Sequence, residues 1–419
     1  YNNTQIIMGD HPMNKPMNAC ALCGQCTVIC PNGFDMSQVC KSARENMVST
    51  DKMPLAPHEF ALMDMLFSNS EAFLSRLQPG YETCRYVFFP GCQAGAIAPD
   101  VVIQAYEDLS NRVAGGVALM LGCCGAISEW AGRYEMTEKV NEQLKQELAK
   151  LGDPIIIAGC PSCMKQLKES IGAHVIGIWE ILRKIGLPQQ AKGLEIPVAI
   201  HDACGARGDA QTQDMIRQLL SDMGCIVEDT EYSRDLSPCC GYGGLTAYAN
   251  KDMAAKMTEK CLERSDAPYI TYCMACRDRF AREGRESRHI LELLYGANAS
   301  NMPDISEKRY NRLILKQTLL KNIWNEESVM EKKDYTVAYT EEAIHMMDER
   351  MILKSDVERV LSDYRENQEA ILDEETKELV TRSRLGNVTF WVRFVETEDG
   401  YLVHRAYSHR MNIMKRVGQ

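Results

Sequence analysis

The sequence has no dense block of Lys and Arg and no long hydrophobic run. Its 47 Lys and Arg residues are outnumbered by 58 Asp and Glu residues, so the formal net charge is −11. Because phosphate neutralisation requires a basic surface, this balance excludes a simple nucleic-acid-binding protein. The longest uncharged stretch, Val113 to Ser128, is interrupted by glycines and is shorter than the roughly 20 apolar residues that span a bilayer. We therefore expect no membrane-spanning segment.

The amino terminus also lacks a recognisable targeting segment. Tyr1 to Thr4 begin neither a basic region nor an apolar core, so no secretory signal is expected. The 18 cysteines are about 4% of the 419 residues, whereas small disulfide scaffolds usually contain roughly 8 to 10%. We predict a cytoplasmic protein in which clustered, reduced thiols serve as metal ligands or redox centres.

Four cysteines near the amino terminus form a compact run before Pro31. They are Cys20, Cys23, Cys26 and Cys30. Their C-x2-C-x2-C-x3-C spacing is that of bacterial ferredoxins, in which three thiolates hold one cubane [4Fe-4S] cluster and the fourth ligates a second cluster. Since no second run follows, the fourth ligand of the cluster could be Cys30, Cys40 or Cys84, or a second run could lie elsewhere. A zinc site is the alternative, but zinc sites usually pair two separated C-x2-C units.

Ten further cysteines form two sets of five with the same internal order. The first set is Cys92, Cys123, Cys124, Cys160 and Cys163, and the second set is Cys204, Cys239, Cys240, Cys273 and Cys276. Each set has a lone cysteine, an adjacent pair followed by glycine, and a C-x2-C pair. Equivalent positions lie 112, 116 and 113 residues apart. This nearly constant offset indicates two copies of one supersecondary unit.

Other uses of these cysteines fit the pattern less well. The two C-x2-C pairs could form a four-cysteine zinc site, and Cys160 with Cys163 could be a thioredoxin-like dithiol. Neither use involves the lone cysteine or the adjacent pair of each set. Haem attachment is excluded because Met164 and Arg277 stand where the C-x-x-C-H motif requires histidine.

The repeated pattern resembles the cysteine-rich CCG domain of the heterodisulfide reductase catalytic subunit. The run from Cys20 to Cys30 resembles the iron-sulfur subunit of that enzyme, and the arrangement is also similar to iron-sulfur subunits of glycolate, lactate and glycerol-3-phosphate oxidoreductases. The resemblance covers roughly residues 15 to 296. It implies one noncubane [4Fe-4S] cluster on each set of five, a disulfide reduced by the paired clusters, the ten cysteines as catalytic ligands, and an anaerobic host. Both sets are complete, which favours the disulfide-reductase-like branch.

Short apolar segments lead into the cysteines of both copies. The segments that begin at Tyr86, Asp153, Pro197 and Tyr269 are predicted strands. The cysteines then follow the carboxyl ends of strands, where open α/β sheets place their sites. Pro161 opens a helix whose amino-terminal N–H groups lower the pKa of nearby thiols.

The expected fold class is therefore α/β. We divide the chain into a helical ferredoxin-like domain over 1–80, CCG copies over 81–190 and 191–296, a linker helix over 297–335, and an α+β docking or regulatory domain over 336–419. The helix within the linker is expected to run from Ile305 to Lys333 as an amphipathic element.

Several residues receive structural assignments. Cys225, in an apolar strand, and Cys261, on a helix face with methionines, are predicted to be buried thiols. His201 is expected to be a local hydrogen-bonding group. In the terminal domain, Thr340 starts one helix and Ser355 begins a capping box for the next. The segments 388–395 and 401–407 are predicted to form a hairpin, and His345, His404 and His409 show no ligand spacing.

The functional expectation is an iron-sulfur oxidoreductase subunit. No G-x-G-x-x-G fingerprint for a flavin or nicotinamide is visible, so electrons are expected from a flavoprotein or ferredoxin subunit, with other iron-sulfur subunits in a hetero-oligomer. They would pass through the Cys20–Cys30 run to two noncubane clusters that reduce a disulfide. The alternatives are the iron-sulfur subunit of a 2-hydroxyacid or glycerol-3-phosphate dehydrogenase, and a non-catalytic relay subunit.

Overall fold

The chain folds into two compact units. The computed structural model describes residues 14–53, 57–296, 302–327, 334–385 and 388–409. The first unit comprises Tyr1–Met302 and Tyr310–Glu327, and the second comprises Pro303–Arg309 and Ser328–Gln419. Within the described residues, no helix has the length and apolar character needed to cross a membrane. The finer division into five segments remains a prediction.

The amino-terminal part of the first unit is helical, as expected. Helices α1 to α4 span Asn14–Met17, Gln25–Ile29, Met36–Ser49 and Glu59–Ser68. The carboxylate of Asp35 accepts the backbone N–H of Gln38 at 3.1 Å, which caps α3 five residues before Cys40. Gly24 has a φ of 73° and lets the chain turn into α2 immediately after Cys23.

The first copy is built on a five-stranded sheet. Strands β1 to β5 span Leu74–Arg76, Tyr86–Phe89, Val117–Leu121, Ile155–Ala158 and Val175–Gly177. Their spatial order is β1-β3-β2-β4-β5, with β1 antiparallel to β3 and the others parallel. Helices α5 to α10 span Cys92–Ile97, Pro99–Arg112, Ala126–Trp130, Tyr134–Lys150, Pro161–Ile171 and Ile178–Ile185. All five residues of β3 are buried, as expected where helices cover a parallel sheet.

The second copy repeats this topology. Strands β6 to β9 span Val198–His201, Val227–Asp229, Tyr269–Thr271 and Ser287–His289. They are parallel in the order β7-β6-β8-β9, which matches β3-β2-β4-β5 strand for strand. Helices α11 to α15 span Ala210–Asp222, Thr246–Ala249, Lys251–Leu262, Met274–Arg282 and Ile290–Leu294. The tandem α/β repeat predicted from cysteine spacing is confirmed.

Helix α16, Ile305–Trp324, is shorter than predicted. It ends at Trp324, and 328–333 lie outside the described residues. Leu315, Leu319 and Leu320 are buried in the core of the first unit. The indole N–H of Trp324 donates to the carbonyl of Leu77 at 2.8 Å. The amphipathic helix therefore packs by its apolar face, and this part of the prediction holds.

In the described part of the second unit, a five-stranded sheet is packed with two helices. Strands β10 to β14 span Thr336–Tyr339, Ile371–Leu372, Leu379–Leu385, Val388–Thr397 and Gly400–His409, and helices α17 and α18 span Glu341–Arg350 and Lys354–Asn367. The sheet order is β10-β14-β13-β12-β11. The predicted hairpin corresponds to β13 and β14, which pair antiparallel. Val357 and Leu361 of α18 pack with Phe394 and Val403 in its core.

The sequence predicted a helix start at Thr340 and a capping box at Ser355 in this unit. The hydroxyl of Thr340 accepts the N–H of Ala343 at 3.2 Å and caps α17 as predicted. The capping box at Ser355 is wrong, because α18 already begins at Lys354. There Asp356 accepts the N–H of Leu353 at 3.0 Å instead.

Candidate metal centre

The cysteines of both sets follow the carboxyl ends of parallel strands. Cys92 follows β2, Cys123 follows β3, and Cys160 follows β4. In the second copy, Cys204 and Cys273 follow β6 and β8 in the same way. The adjacent pair of the second copy comes ten residues after β7, so a longer loop brings it to the site. Each sheet therefore delivers its five thiols to one edge.

Each C-x2-C pair lies at the start of a helix. Cys160 is the residue that precedes α9, and Cys273 is the residue that precedes α14, both with extended backbone. The pKa of Cys160 is held well below its usual range, mainly by hydrogen bonds with the thiols of Cys163 and Cys273. The backbone N–H groups of Ser162 and Cys163 lower it further. This side chain is thereby prepared to act as a thiolate ligand.

All ten thiols form one continuous row of contacts. The order along the row is Cys92, Cys123, Cys124, Cys163, Cys160, Cys273, Cys276, Cys240, Cys239 and Cys204. The hydrogen bond between Cys160 and Cys273 joins the first set to the second. Across the described ranges, no group of three or more Cys, His, Asp or Glu side chains is arranged around a single-ion position. The thiols are a line of neighbours, and the 18 cysteines are free of disulfides.

Charge is distributed unevenly along this row. Hydrogen bonds from Cys123 and Cys163 lower the pKa of Cys124 to about 6. Hydrogen bonds from Cys204 and Cys240, with backbone N–H groups of the glycine-rich turn, lower the pKa of Cys239 well below its ordinary value. Each set therefore contains at least one thiol for which the ionised form is favoured, as metal ligation requires.

A cavity of about 60 Å³ lies at the first set. Its lining includes all five cysteines of that set, together with Cys273 and Tyr242 of the second copy. No carboxylate or imidazole belongs to this lining within the described part of the chain. Gly91, at φ 90°, lies so close that an added Cβ would be 3.3 Å from the sulfur of Cys163. A donor set of thiols alone fits iron-sulfur clusters, which are held by cysteine thiolates.

The two copies pack tightly at this site. A Cβ added to Gly205, next to Cys204, would lie 2.7 Å from both the backbone nitrogen and the hydroxyl of Ser162. Ser162 stands between the two cysteines of the first C-x2-C pair. Because Cβ atoms essentially never approach other atoms so closely, this glycine is required for the contact. The two sets form one composite site.

A buried polar network borders Cys92. The guanidinium of Arg312 donates to the carbonyl of Cys92 at 3.0 Å and pairs with Asp64 at 2.7 Å. The hydroxyl of Tyr242 accepts the amide of Gln93 at 3.2 Å, and Tyr242 and Tyr248 share a hydrogen bond. Burial raises the pKa of Tyr242 well above its ordinary value, so its phenol keeps its proton.

Sequence reasoning missed this network. Arg312 lies on the apolar face of α16, three and seven residues before the buried Leu315 and Leu319. A cation on an apolar helical stripe was a signal that could have found it. Asp64 and Tyr242 carried no comparable signal.

The amino-terminal run lies against the second copy. Cys26 is exposed, whereas the thiol of Cys20 is hydrogen-bonded to that of Cys40. Arg207 donates to the carbonyl of Cys23 at 2.7 Å. The Cys23 thiol also interacts electrostatically with Cys239 of the second set. The run is therefore next to one end of the row of thiols.

Two glycines after Cys240 make this contact possible. A Cβ on Gly243 would be 2.8 Å from the carbonyl of Ala21 and 3.2 Å from the sulfur of Cys239. A Cβ on Gly244 would be 2.6 Å from the carbonyl oxygen of Cys20. The backbone of the run therefore touches the backbone of the second CCG motif.

The remaining cysteines are separate from this site or at its edge. Cys84 is buried in the core of the first copy near Tyr106. Cys225 is buried, as predicted, but Ile226 is exposed and β7 begins at Val227, so the strand starts two residues later than predicted. Cys261 donates to the carbonyl of Cys239 at 3.5 Å, and burial raises its pKa to about 12.

Three histidines singled out in the sequence make local contacts. His201 is buried against Phe280, and burial lowers its pKa to about 4. Its Nε2 has no hydrogen-bond partner among the described residues, so the predicted hydrogen-bonding role is not seen at that atom. In the second unit, His404 pairs with Glu378, and His409 accepts the indole N–H of Trp391 at 2.7 Å. These contacts agree with the absence of ligand spacing in the sequence.

Comparison with known proteins identifies both copies. Residues 86–168 and 198–280 match the CCG cysteine-rich domain family. These ranges contain all ten cysteines of the two sets and begin at the first parallel strand of each copy. The resemblance inferred from the spacing is confirmed: the chain carries two CCG domains.

Similar proteins are found in methanogenic archaea. The chain is 25% identical over 278 residues to an iron-sulfur protein of Methanococcus maripaludis, a match covering 61% of this chain and 55% of that protein. It is 21% identical over 303 residues to one subunit of the dihydromethanophenazine:CoB–CoM heterodisulfide reductase of Methanosarcina mazei, covering 65% and 73%. It is 25% identical over 312 residues to one subunit of the fumarate reductase (CoM/CoB) of Methanothermobacter marburgensis, covering 67% and 62%. No solved structure matches the chain significantly.

Proposed function

We propose that this chain, with its two CCG domains, is the iron-sulfur electron-transfer and catalytic subunit of a heterodisulfide reductase-like complex. The observation that carries the proposal is the unbroken row of ten thiols contributed by two complete sets. The names of the relatives support an iron-sulfur redox subunit. In the proposal, the ten cysteines hold two noncubane [4Fe-4S] clusters, and the Cys20, Cys23 and Cys26 thiols hold one cubane cluster.

The packing of the first unit supports an order of electron transfer. The amino-terminal run touches the second copy through Gly243 and Gly244, and the second copy joins the first through Cys273 and Cys160. We infer that electrons enter at the run, pass to the second set and end at the first set. In this order the cluster that reduces the acceptor is the one held by the first set, whose thiols line the cavity.

Iron-sulfur clusters bound here would supply the electrons singly, and each disulfide takes up two electrons and two protons to give two thiols. Tyr242 lines the cavity and keeps its proton because burial raises its pKa, so its hydroxyl adds no negative charge beside the thiolates. We infer that the two protons come from solvent, because no carboxylate or imidazole lines the cavity within the described residues. Arg312, beside Cys92, places a positive charge where negative charge develops.

The entry point for electrons has the character of a docking surface. Five large apolar side chains around the run are exposed: Val28, Ile29, Phe34, Met36 and Val39. Exposed apolar patches on globular domains often mark protein-protein contacts. We infer that this surface receives a flavoprotein or ferredoxin electron donor within a cytoplasmic hetero-oligomer.

A second candidate function has support from one relative. The similarity to a subunit of a fumarate reductase favours an iron-sulfur subunit that exchanges electrons with an organic substrate site on another chain. The same order of electron transfer would suit the iron-sulfur subunit of a 2-hydroxyacid or glycerol-3-phosphate dehydrogenase. It would also suit a relay subunit that reduces no acceptor of its own. In these cases the cluster of the first set would reduce no disulfide.

The test is disulfide reduction by the purified, cluster-loaded full chain. A reduced viologen dye serves as the donor, and a panel of small alkyl disulfides serves as the acceptor. We expect dye oxidation with two thiols formed per disulfide. Cys160→Ala is expected to abolish this activity, whereas Cys225→Ala, at a buried thiol outside the row, is expected to retain it. Absence of thiol formation, together with hydroxyacid oxidation by a flavoprotein that depends on this chain, would establish the second candidate instead.

A further inference from the structure

We propose that Cys40 is the fourth ligand of the amino-terminal cluster, completing a set with Cys20, Cys23 and Cys26. The inference rests on the proposed iron-sulfur function and names a ligand that the ferredoxin spacing alone leaves open. The spacing points to the fourth cysteine of the run, Cys30, as readily as to a distant residue.

The side chain of Cys40 faces the run. Its thiol is hydrogen-bonded to the thiol of Cys20 and interacts electrostatically with Cys26. Cys40 is 5% exposed, within a small apolar cluster of Met17, Met47 and Met53 against which Cys20 packs. A water-excluding wall of this kind is usual around cluster thiolates.

Helix α3 fixes this position. Asp35 caps the helix, so Cys40 is its fifth residue and Arg44 lies one turn later on the same face. The guanidinium of Arg44 donates to the carbonyls of Cys20 at 2.7 Å and Met17 at 2.9 Å. The helical face that carries Cys40 is thereby clamped to the loop that carries the run.

The other two candidates are placed differently. The thiol of Cys30 accepts backbone N–H groups of Phe34, Asn32 and Gly33 at the surface, and no cysteine is among its interaction partners in the described residues. Cys84 is buried in the core of the first copy, where it contacts Gln78 and Tyr106. Of the three candidate ligands, Cys40 is the one whose thiol contacts a cysteine of the run.

This arrangement leaves Cys30 without a role in the cluster on this chain. Its thiol lies among the exposed apolar residues of the proposed docking surface, between Ile29 and Phe34. We therefore expect Cys30 to react with alkylating reagents while the cluster is in place.

The test compares Cys40→Ala with the matched variant Cys30→Ala in the full, cluster-loaded chain. We expect about twelve irons in the unmodified protein, a loss of up to about four in Cys40→Ala with loss or change of the cubane EPR signal, and no change in Cys30→Ala. An unchanged iron count and signal in Cys40→Ala, or their loss in Cys30→Ala, would overturn the assignment. An unmodified chain without iron and sulfide would instead refute the proposed function.

A second measurement needs no variant. The loaded protein is treated with iodoacetamide under anaerobic conditions, and labelled peptides are identified by mass spectrometry. We expect Cys30 to be labelled and Cys40 to be protected. Protection of Cys30 until iron is removed with a chelator would show that Cys30 is the ligand and would overturn the proposal, even if Cys40→Ala fails to fold.

Discussion

The thiol of Cys160 in the first CCG copy is hydrogen-bonded to the thiol of Cys273 in the second copy. Both residues directly precede a helix, and both follow the third parallel strand of their own sheet. The repeat therefore places its two equivalent cysteines face to face. Two clusters bound at these sets would be neighbours, as the transfer of two electrons to one acceptor requires.

Removing either of these thiols should impair one set without unfolding the other. We expect Cys160→Ala and Cys273→Ala each to lower the iron content by up to about four atoms and disulfide reduction by more than about 100-fold. Iron and acid-labile sulfide analysis measures the first effect, and the viologen assay measures the second. Cys225→Ala is the control, and a comparable loss in that variant would show a general effect on folding.

The ion pair between Arg312 and Asp64 should be important for stability. The side chain of Arg312 is 5% exposed, and Arg312→Met would remove the cationic partner at 2.7 Å from the largely buried carboxylate of Asp64 and the donor to Cys92. We expect the free energy of unfolding of the first unit to fall by about 3 kcal/mol. Urea unfolding measures it, and a double-mutant cycle with Asp64→Asn should show strong coupling. Simple additivity of the two substitutions would contradict a direct interaction.

The contact between the run and the second copy should depend on Gly244. Gly244→Ala would place a Cβ 2.6 Å from backbone atoms of Cys20 and Ala21 at a φ of 57°. We expect slower reduction of the CCG centres by an external donor, because the two backbones must separate. Gly172→Ala is the matched control, since its φ of 67° is similar but no atom lies within 4 Å of the added Cβ. The control should lose only about 1 to 2 kcal/mol from backbone strain and keep the normal rate.

Buried His58 should make the first unit sensitive to acid. Burial, with the nearby charges of Arg44 and Arg133, lowers its pKa to about 3 in the folded chain. Below the ordinary pKa of about 6.5, the unfolded chain binds a proton that the folded chain excludes, so stability falls by about 1.4 kcal/mol per pH unit down to about pH 3. Urea unfolding between pH 7 and pH 4 measures the slope. His58→Gln should reduce it, and an unchanged slope would show that other groups are responsible.

The spacing of the cysteines was sufficient to predict the repeated parts of this fold. The ten cysteines, predicted as two matched sets of five, form one row in the structure, and Pro161 does open the helix that follows Cys160. The strand order of the second copy follows from the first because the two share a pattern. Local signals of this kind depend on neighbours along the chain.

Contacts between residues that are distant in the chain could not be predicted from such signals. Arg312 reaches Cys92 across 220 residues, and Arg44 donates to the carbonyl of Gly244 across 200 residues. The terminal helix α18 begins one residue before the predicted cap, and it is Asp356, not Ser355, whose side chain accepts the N–H of Leu353 just before the helix. Choices between competing caps and between distant polar partners depend on packing that a single sequence does not display.

In this account, three iron-sulfur clusters are held by Cys20, Cys23, Cys26 and Cys40 and by the two sets of five cysteines. Iron and acid-labile sulfide counts with EPR on the anaerobically purified, loaded full chain test it most directly. We predict about twelve irons, about as many sulfides, and signals from one cubane and two noncubane centres. A few zinc atoms per chain with no sulfide would contradict it.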